Sequence, residues 1–159
     1  MQKVSTIFLQ VVIAILGIVA LIVMIRFPLT EGRAVNLDLF SIYADLFIIY
    51  GYLASISFFV ALYQAFRLLG YIGQNKVFSL SSVQALRTIK YCAVILSVSI
   101  AMAVLYIAMY HHTDDDPAGF IAIGILATFI SVVIATAAAV FERTLQNAVD
   151  IKSENNLTV

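Results

Sequence analysis

Apolar positions in this chain are gathered into long unbroken stretches rather than alternating with polar ones. Val4–Ile25, Leu46–Phe66, Tyr91–Thr113 and Pro117–Phe141 contain no Asp, Glu, Lys or Arg. A helix rises about 1.5 Å per residue, so ~20 residues cross a hydrocarbon core about 30 Å thick. Each stretch meets that length. Backbone N–H and C=O groups cannot be left unpaired in lipid, so each stretch predicts a helix. A transmembrane β-barrel is disfavoured, because its strands would alternate apolar with polar residues. The pattern therefore predicts an all-α polytopic membrane protein, with four transmembrane helices in an antiparallel bundle. The expected helices are 4–25, 46–66, 91–113 and 117–141, within a single domain over 1–159, with a connection at 67–90 and a tail at 142–159.

The first stretch exceeds the apolar core of a signal peptide, about 7–15 residues. The residues after it, Met24-Ile25-Arg26-Phe27-Pro28, offer no small-x-small cleavage site. It reads as a retained anchor.

Composition agrees. The 159 residues are 63% hydrophobic and 11% charged, against about 45–50% and about 25% in an ordinary soluble domain. So few charges cannot cover a water-exposed surface. A soluble enzyme, a nucleic-acid-binding domain and a disordered tail are all disfavoured.

The net charge of zero hides an uneven distribution. Arg67, Lys76, Arg87 and Lys90 occupy the middle connection without an acid. The first connection mixes Arg26 and Arg33 with Glu31, Asp38 and Asp45, and the third is Asp114-Asp115-Asp116. Basic residues mark cytoplasmic loops. The expected location is the bacterial cytoplasmic membrane, multi-pass, with the middle connection and both termini cytoplasmic. Tyr43, Tyr50, Tyr52, Tyr106 and Tyr110 then lie toward the outer ends of the helices, and Tyr63, Tyr71 and Tyr91 toward the inner ends. Such placement suits either the headgroup level or helix packing.

Helices in lipid associate through small residues that allow close approach. Ala93, Ser97 and Ala101 form such a face on the third helix; Ala127, Ser131, Ala135 and Ala139 form one on the fourth. A short connection makes these helices an antiparallel hairpin. Ala93 then meets Ala139, Ser97 meets Ala135, and Ala101 meets Ser131, at one common register. Ser57, Ala61 and Ala65 form a similar face on the second helix, with no partner identifiable from sequence.

Outside the spans, Asn36 is a candidate cap for an early start of the second helix, with Asp38 in its first turn. Gly70 and Gly73 punctuate its end. Asn75-Lys76-Val77-Phe78-Ser79 reads as a turn, and Ser81 with Gln84 has capping-box spacing. In the tail, Phe141, Leu145, Ala148 and Val149 share one helical face, which extends the fourth helix to about Lys152 before Asn155 and Asn156 end it.

Chemistry is sparse. His111, His112 and Asp114 are weak candidates for a metal or for external pH sensing, since adjacent helical histidines diverge and the spacing matches no known site type. No metal site and no cofactor is expected. Cys92 is the only cysteine, so no disulfide-exchange pair exists within one chain. Coupled transporters usually place charged groups inside their spans, and these spans have none. No zinc-protease motif, phosphate-cradling Gly loop or nucleophile elbow is present. The chain is not expected to be an enzyme.

Two segments are recognisable. Leu62-Tyr63-Gln64-Ala65-Phe66-Arg67-Leu68-Leu69, followed by Asn75-Lys76-Val77-Phe78-Ser79 and Ser82-Val83-Gln84-Ala85-Leu86-Arg87-Thr88-Ile89-Lys90-Tyr91-Cys92, resembles the YoaS-like family of bacterial membrane proteins. The tail Asp150–Val159 also resembles that family's ending, which usually reads Glu-Asn-Asp-Leu-Thr; Asn156 stands where the family carries Asp. The resemblance covers essentially the whole chain. It implies four membrane helices, an unknown function and genes often found beside a small Cro/C1-type helix-turn-helix regulator.

Both recognisable segments fall on the expected cytoplasmic side. This motivates a membrane-anchored regulatory protein that docks the small regulator through Lys76, Phe78, Arg87, Lys90, Asp150, Lys152 and Glu154. The alternative is a small transporter or an accessory subunit of a membrane complex. Expected partners are membrane lipids and the regulator, with no direct nucleic-acid contact and with oligomers allowed.

Overall fold

The computed structural model describes residues 2–30, 43, 45–110 and 117–157. They form four helices: α1 (Gln2–Thr30), α2 (Leu46–Gly73), α3 (Leu80–Tyr110) and α4 (Ala118–Leu157). All four are long and apolar enough to cross a membrane. Each runs antiparallel to the one before, and they pack in chain order: α1 on α2, α2 on α3, and α3 most extensively on α4. Among the described residues, α1 makes no comparable contact with α3 or α4. One end of the bundle, the basic end, therefore carries the start of α1, the α2–α3 turn and the end of α4.

α1 contains Pro28. Proline has no N–H, so the carbonyl four residues earlier loses its intrahelical donor. That carbonyl belongs to Met24, and the Tyr52 hydroxyl of α2 donates to it at 3.0 Å. The Tyr43 hydroxyl donates to the adjacent Ile25 carbonyl at 3.1 Å. Neighbouring side chains thus satisfy the groups that a proline frees inside a membrane. Tyr50 binds the Ser99 carbonyl of α3 at 2.8 Å. These three tyrosines, toward the end opposite the basic one, pin helices together.

At the other end of the α1–α2 pair, Gln10 donates from Nε2 to the Phe66 carbonyl at 3.2 Å. α2 ends at Gly73, where the sequence placed its end, but neither glycine supplies the left-handed residue of the stop. Neither has a positive φ, whereas Asn75 does, at 56°. The Lys76 N–H bonds the Tyr71 carbonyl and the Asn75 N–H bonds the Ile72 carbonyl. That is a Schellman stop with Asn in the left-handed position. The glycines instead admit α1: a Cβ on Gly73 would lie 3.0 Å from Thr6 Oγ1.

Two caps differ from expectation. Asp45 caps α2, its Oδ1 accepting the Phe47 N–H at 2.7 Å; Asn36 and Asp38 lie outside the described residues. Ser79, rather than Ser81, caps α3, its Oγ accepting the Ser82 N–H at 3.3 Å. Ser81 already sits in the first turn, so the N–H groups it would cap are taken by helical carbonyls, that of Val83 by the Ser79 carbonyl.

The small-residue positions lie on the inward sides of α3 and α4, which pack on each other. Ala93, Ser97, Ser131 and Ala135 are buried, and Ala101 and Ala139 are half-buried. Ala138 lies deeper than Ala139, in a cluster with Leu86 and Ile89. Gly124 abuts α3 so closely that a Cβ would overlap Val104 Cγ2. Ala65 of α2 packs on the Leu86–Ile89–Ala138 cluster, which supplies its helix face with a partner.

The tail departs from the sequence reading in two ways. α4 continues to Leu157 instead of ending near Lys152. Its buried face includes Glu142 with Leu145, Ala148 and Val149 half-buried beside it, while Phe141 is exposed. A charged residue takes the inward position because two cations face it.

Candidate functional site

Glu142 is 7% exposed, at the point where α4 leaves its uncharged run. Its Oε1 accepts from Arg87 Nε at 2.7 Å, and its Oε2 accepts from Lys90 Nζ at 2.6 Å. A carboxylate removed from water without partners is costly by several kcal/mol; here each oxygen has a cation. The Lys90 hydrogen bond, then that of Arg87, holds the Glu142 carboxyl below its ordinary range, against the opposing pull of burial. The hydrogen bond to Glu142 raises the Arg87 guanidinium in turn. The Lys90 ammonium also lies 4.7 Å from the Tyr91 ring centroid.

Sequence reasoning left Glu142 out of the site, although the signal was present. Moving one turn toward the basic end from Ala93 and from Ala139 reaches Lys90 and Glu142. The register that matches the small faces also matches these charges.

Beyond the cluster, α3 and α4 continue together. The buried Ser82 hydroxyl donates to the Lys76 carbonyl at 3.2 Å and sits 3.1 Å from Ser79 Oγ. These contacts fasten the α2–α3 turn onto α3, so Lys76 and Phe78 are presented from an anchored backbone. On α4, Asp150 accepts from Gln146 Nε2 at 2.8 Å. Lys76, Phe78, Asp150, Lys152 and Glu154 are all exposed. Arg87 and Lys90 are engaged with Glu142, so they sit apart from that exposed group. Two further apolar residues, Leu80 and Ile151, are exposed near Phe78 in level: Phe78 is 58%, Leu80 60% and Ile151 66% accessible.

Leu80 precedes Lys90 by ten residues and Ile151 follows Phe141 by ten, about 15 Å of helix each. The headgroup layer beyond the hydrocarbon is only ~5–8 Å thick per side. Leu80 and Ile151 therefore lie farther from the uncharged runs than the headgroup layer is thick. Elsewhere, exposed apolar residues such as Val133 and Leu105 lie within the spans, where lipid covers them.

His111, His112 and Asp114 lie outside the described residues. Among the described residues no group of His, Cys, Asp and Glu is placed to hold a metal. Cys92 is buried on α3.

The family described as "Protein of unknown function (DUF2975)" matches residues 3–159. The chain is 44% identical, over 162 aligned residues spanning 100% of both proteins, to "Uncharacterized membrane protein YoaS" of Bacillus subtilis (strain 168). No solved structure matches it.

Proposed function

We propose that this chain, which belongs to the DUF2975 family, is a membrane-anchored regulatory protein whose basic end faces the cytoplasm and docks a small soluble partner. Orientation rests on charge: Arg67, Lys76, Arg87, Lys90, Arg143 and Lys152 gather at that end, as the positive-inside bias requires. The partner indicated by the resemblance is a small Cro/C1-type helix-turn-helix regulator. In this reading the chain itself touches no nucleic acid, performs no catalysis and needs no cofactor.

One observation carries the proposal: Phe78, Leu80 and Ile151 are exposed at the basic end, outside the uncharged runs, and Lys76, Asp150, Lys152 and Glu154 are exposed at the same end. An apolar centre with a charged rim is the composition of a protein interface. The ion-pair cluster and the Ser82 contacts stabilise the arrangement of the hairpin described above. Regulation follows if the partner binds one arrangement of the hairpin better than another.

A photo-activated cross-linker at Ile151 in living cells should trap the regulator, whereas one at Met109, at the opposite end, should not. Phe78→Asp combined with Ile151→Asp should abolish the cross-link without loss of membrane-inserted protein. Equal capture from both positions, or capture that survives the double substitution, overturns the docking reading. A reporter fused after Asn75 that is active only outside the cell overturns the orientation.

A further inference from the structure

Arg67 stands apart from the Glu142 cluster. Among the described residues no carboxylate pairs with it. Its guanidinium lies 5.8 Å from the Tyr63 ring centroid and 5.7 Å from that of Tyr71. Its Nη2 donates to the Tyr71 hydroxyl at 2.6 Å. These rings stand one helical turn before and after Arg67, so they steer the guanidinium along the surface of α2. A guanidinium carries five N–H donors, and Tyr71 takes only one.

Beside this cation lies an open cleft of 280 Å³ between α1 and α2, lined by Gln10, Phe66, Arg67, Gly70, Tyr71 and Gln74. Gly70 lies on its floor opposite Gln10. Gln10 is itself held by the Phe66 carbonyl. Arg67 is the first charge after Leu46–Phe66, which places it where hydrocarbon gives way to headgroups. The C-terminal end of α2 opposes an anion with about half a negative charge, less than the full charge of the guanidinium.

We propose that this cleft binds the phosphodiester of an anionic phospholipid. The free face of the Arg67 guanidinium takes two phosphate oxygens side by side. The Tyr71 hydroxyl accepts from Arg67 and so has its own proton to give to the phosphate. The Gln74 amide supplies a further donor, and an acyl chain runs over Phe66. Among the described residues no acid lines the cleft to match the ammonium of a zwitterionic headgroup, so an anionic lipid is preferred.

The test uses the full chain in nonionic detergent, with thermal unfolding followed as phosphatidylglycerol, phosphatidylcholine or inorganic phosphate is added. Phosphatidylglycerol should raise Tm in a saturable way. Arg67→Gln should weaken its apparent affinity about tenfold or more, and Tyr71→Phe several-fold. Should Arg67→Gln fail to fold, Tyr71→Phe with Gln74→Ala carries the same expectation of about tenfold. Unchanged affinity in these variants overturns the proposal. So does stabilisation by phosphatidylcholine or inorganic phosphate equal to that by phosphatidylglycerol.

Discussion

The Tyr52 hydroxyl reaches the Met24 carbonyl at 3.0 Å, and Met24 is the residue whose intrahelical donor Pro28 removes. A defect built into one helix is thus repaired by its neighbour. The same bond ties α1 to the rest of the molecule, which matters because, among the described residues, α1 packs extensively only on α2.

Tyr52→Phe should destabilise the protein by about 1–2 kcal/mol, the cost of leaving a carbonyl unsatisfied. In a Pro28→Ala background the backbone N–H returns, so the same substitution should cost clearly less. A double-mutant cycle read by unfolding in detergent checks this. Equal costs in the two backgrounds would show that the hydroxyl does not serve the proline's orphan.

The Glu142 cluster predicts a dependence on pH. Its carboxyl is held below the ordinary value in the folded protein, about 4.3 when unfolded. The folded state therefore binds this proton less readily than the unfolded state does. The contribution is fully present above the unfolded value and is lost as pH falls through the folded value. Tm measured from pH 7 down to pH 3 should show an acid-side loss that Glu142→Gln removes. A profile identical in wild type and variant would show that the pairing adds nothing.

At Gly124 even one methyl group meets Val104 Cγ2. Gly124→Ala should cost about 1–3 kcal/mol through overpacking. Trimming Val104→Ala alongside it should recover much of that loss. By contrast, Val133→Leu, on an exposed part of α4, should be near neutral. Stability measurements on these variants locate the close contact between α3 and α4; a Gly124→Ala protein as stable as wild type would argue against it.

Asn75 sits at φ 56°, where L-residues are strained by roughly 1–2 kcal/mol and glycine is not. Asn75→Gly should be neutral or slightly stabilising, and Asn75→Val should destabilise by at least about 1 kcal/mol. Circular dichroism melts distinguish these outcomes.

Much of this was legible along the chain. Four uncharged runs became four helices because lipid leaves the backbone no other way to satisfy itself. The α3–α4 register was readable too, since small residues recur at matching intervals on both helices, and it extends to Lys90 and Glu142. The docking candidates Phe78 and Asp150 were visible as residues outside the runs. What escaped was the pairing of Arg87 and Lys90, because a basic segment looks free until its acid on another helix is placed opposite.

The glycines show the same limit. Gly70 and Gly73 look like stop signals, and α2 does end at Gly73, yet the left-handed residue is Asn75, and Gly73 gives Thr6 of α1 room. The sequence by itself determined the number of crossings, the charge asymmetry of the two ends and the small faces of α3 and α4, because these depend on local composition and period. Only the tertiary structure decided which tyrosine repairs the proline, which acid collects the cations and which apolar residues at the basic end remain exposed. Those facts depend on which surfaces meet, and each helix carries more than one face that could meet a neighbour.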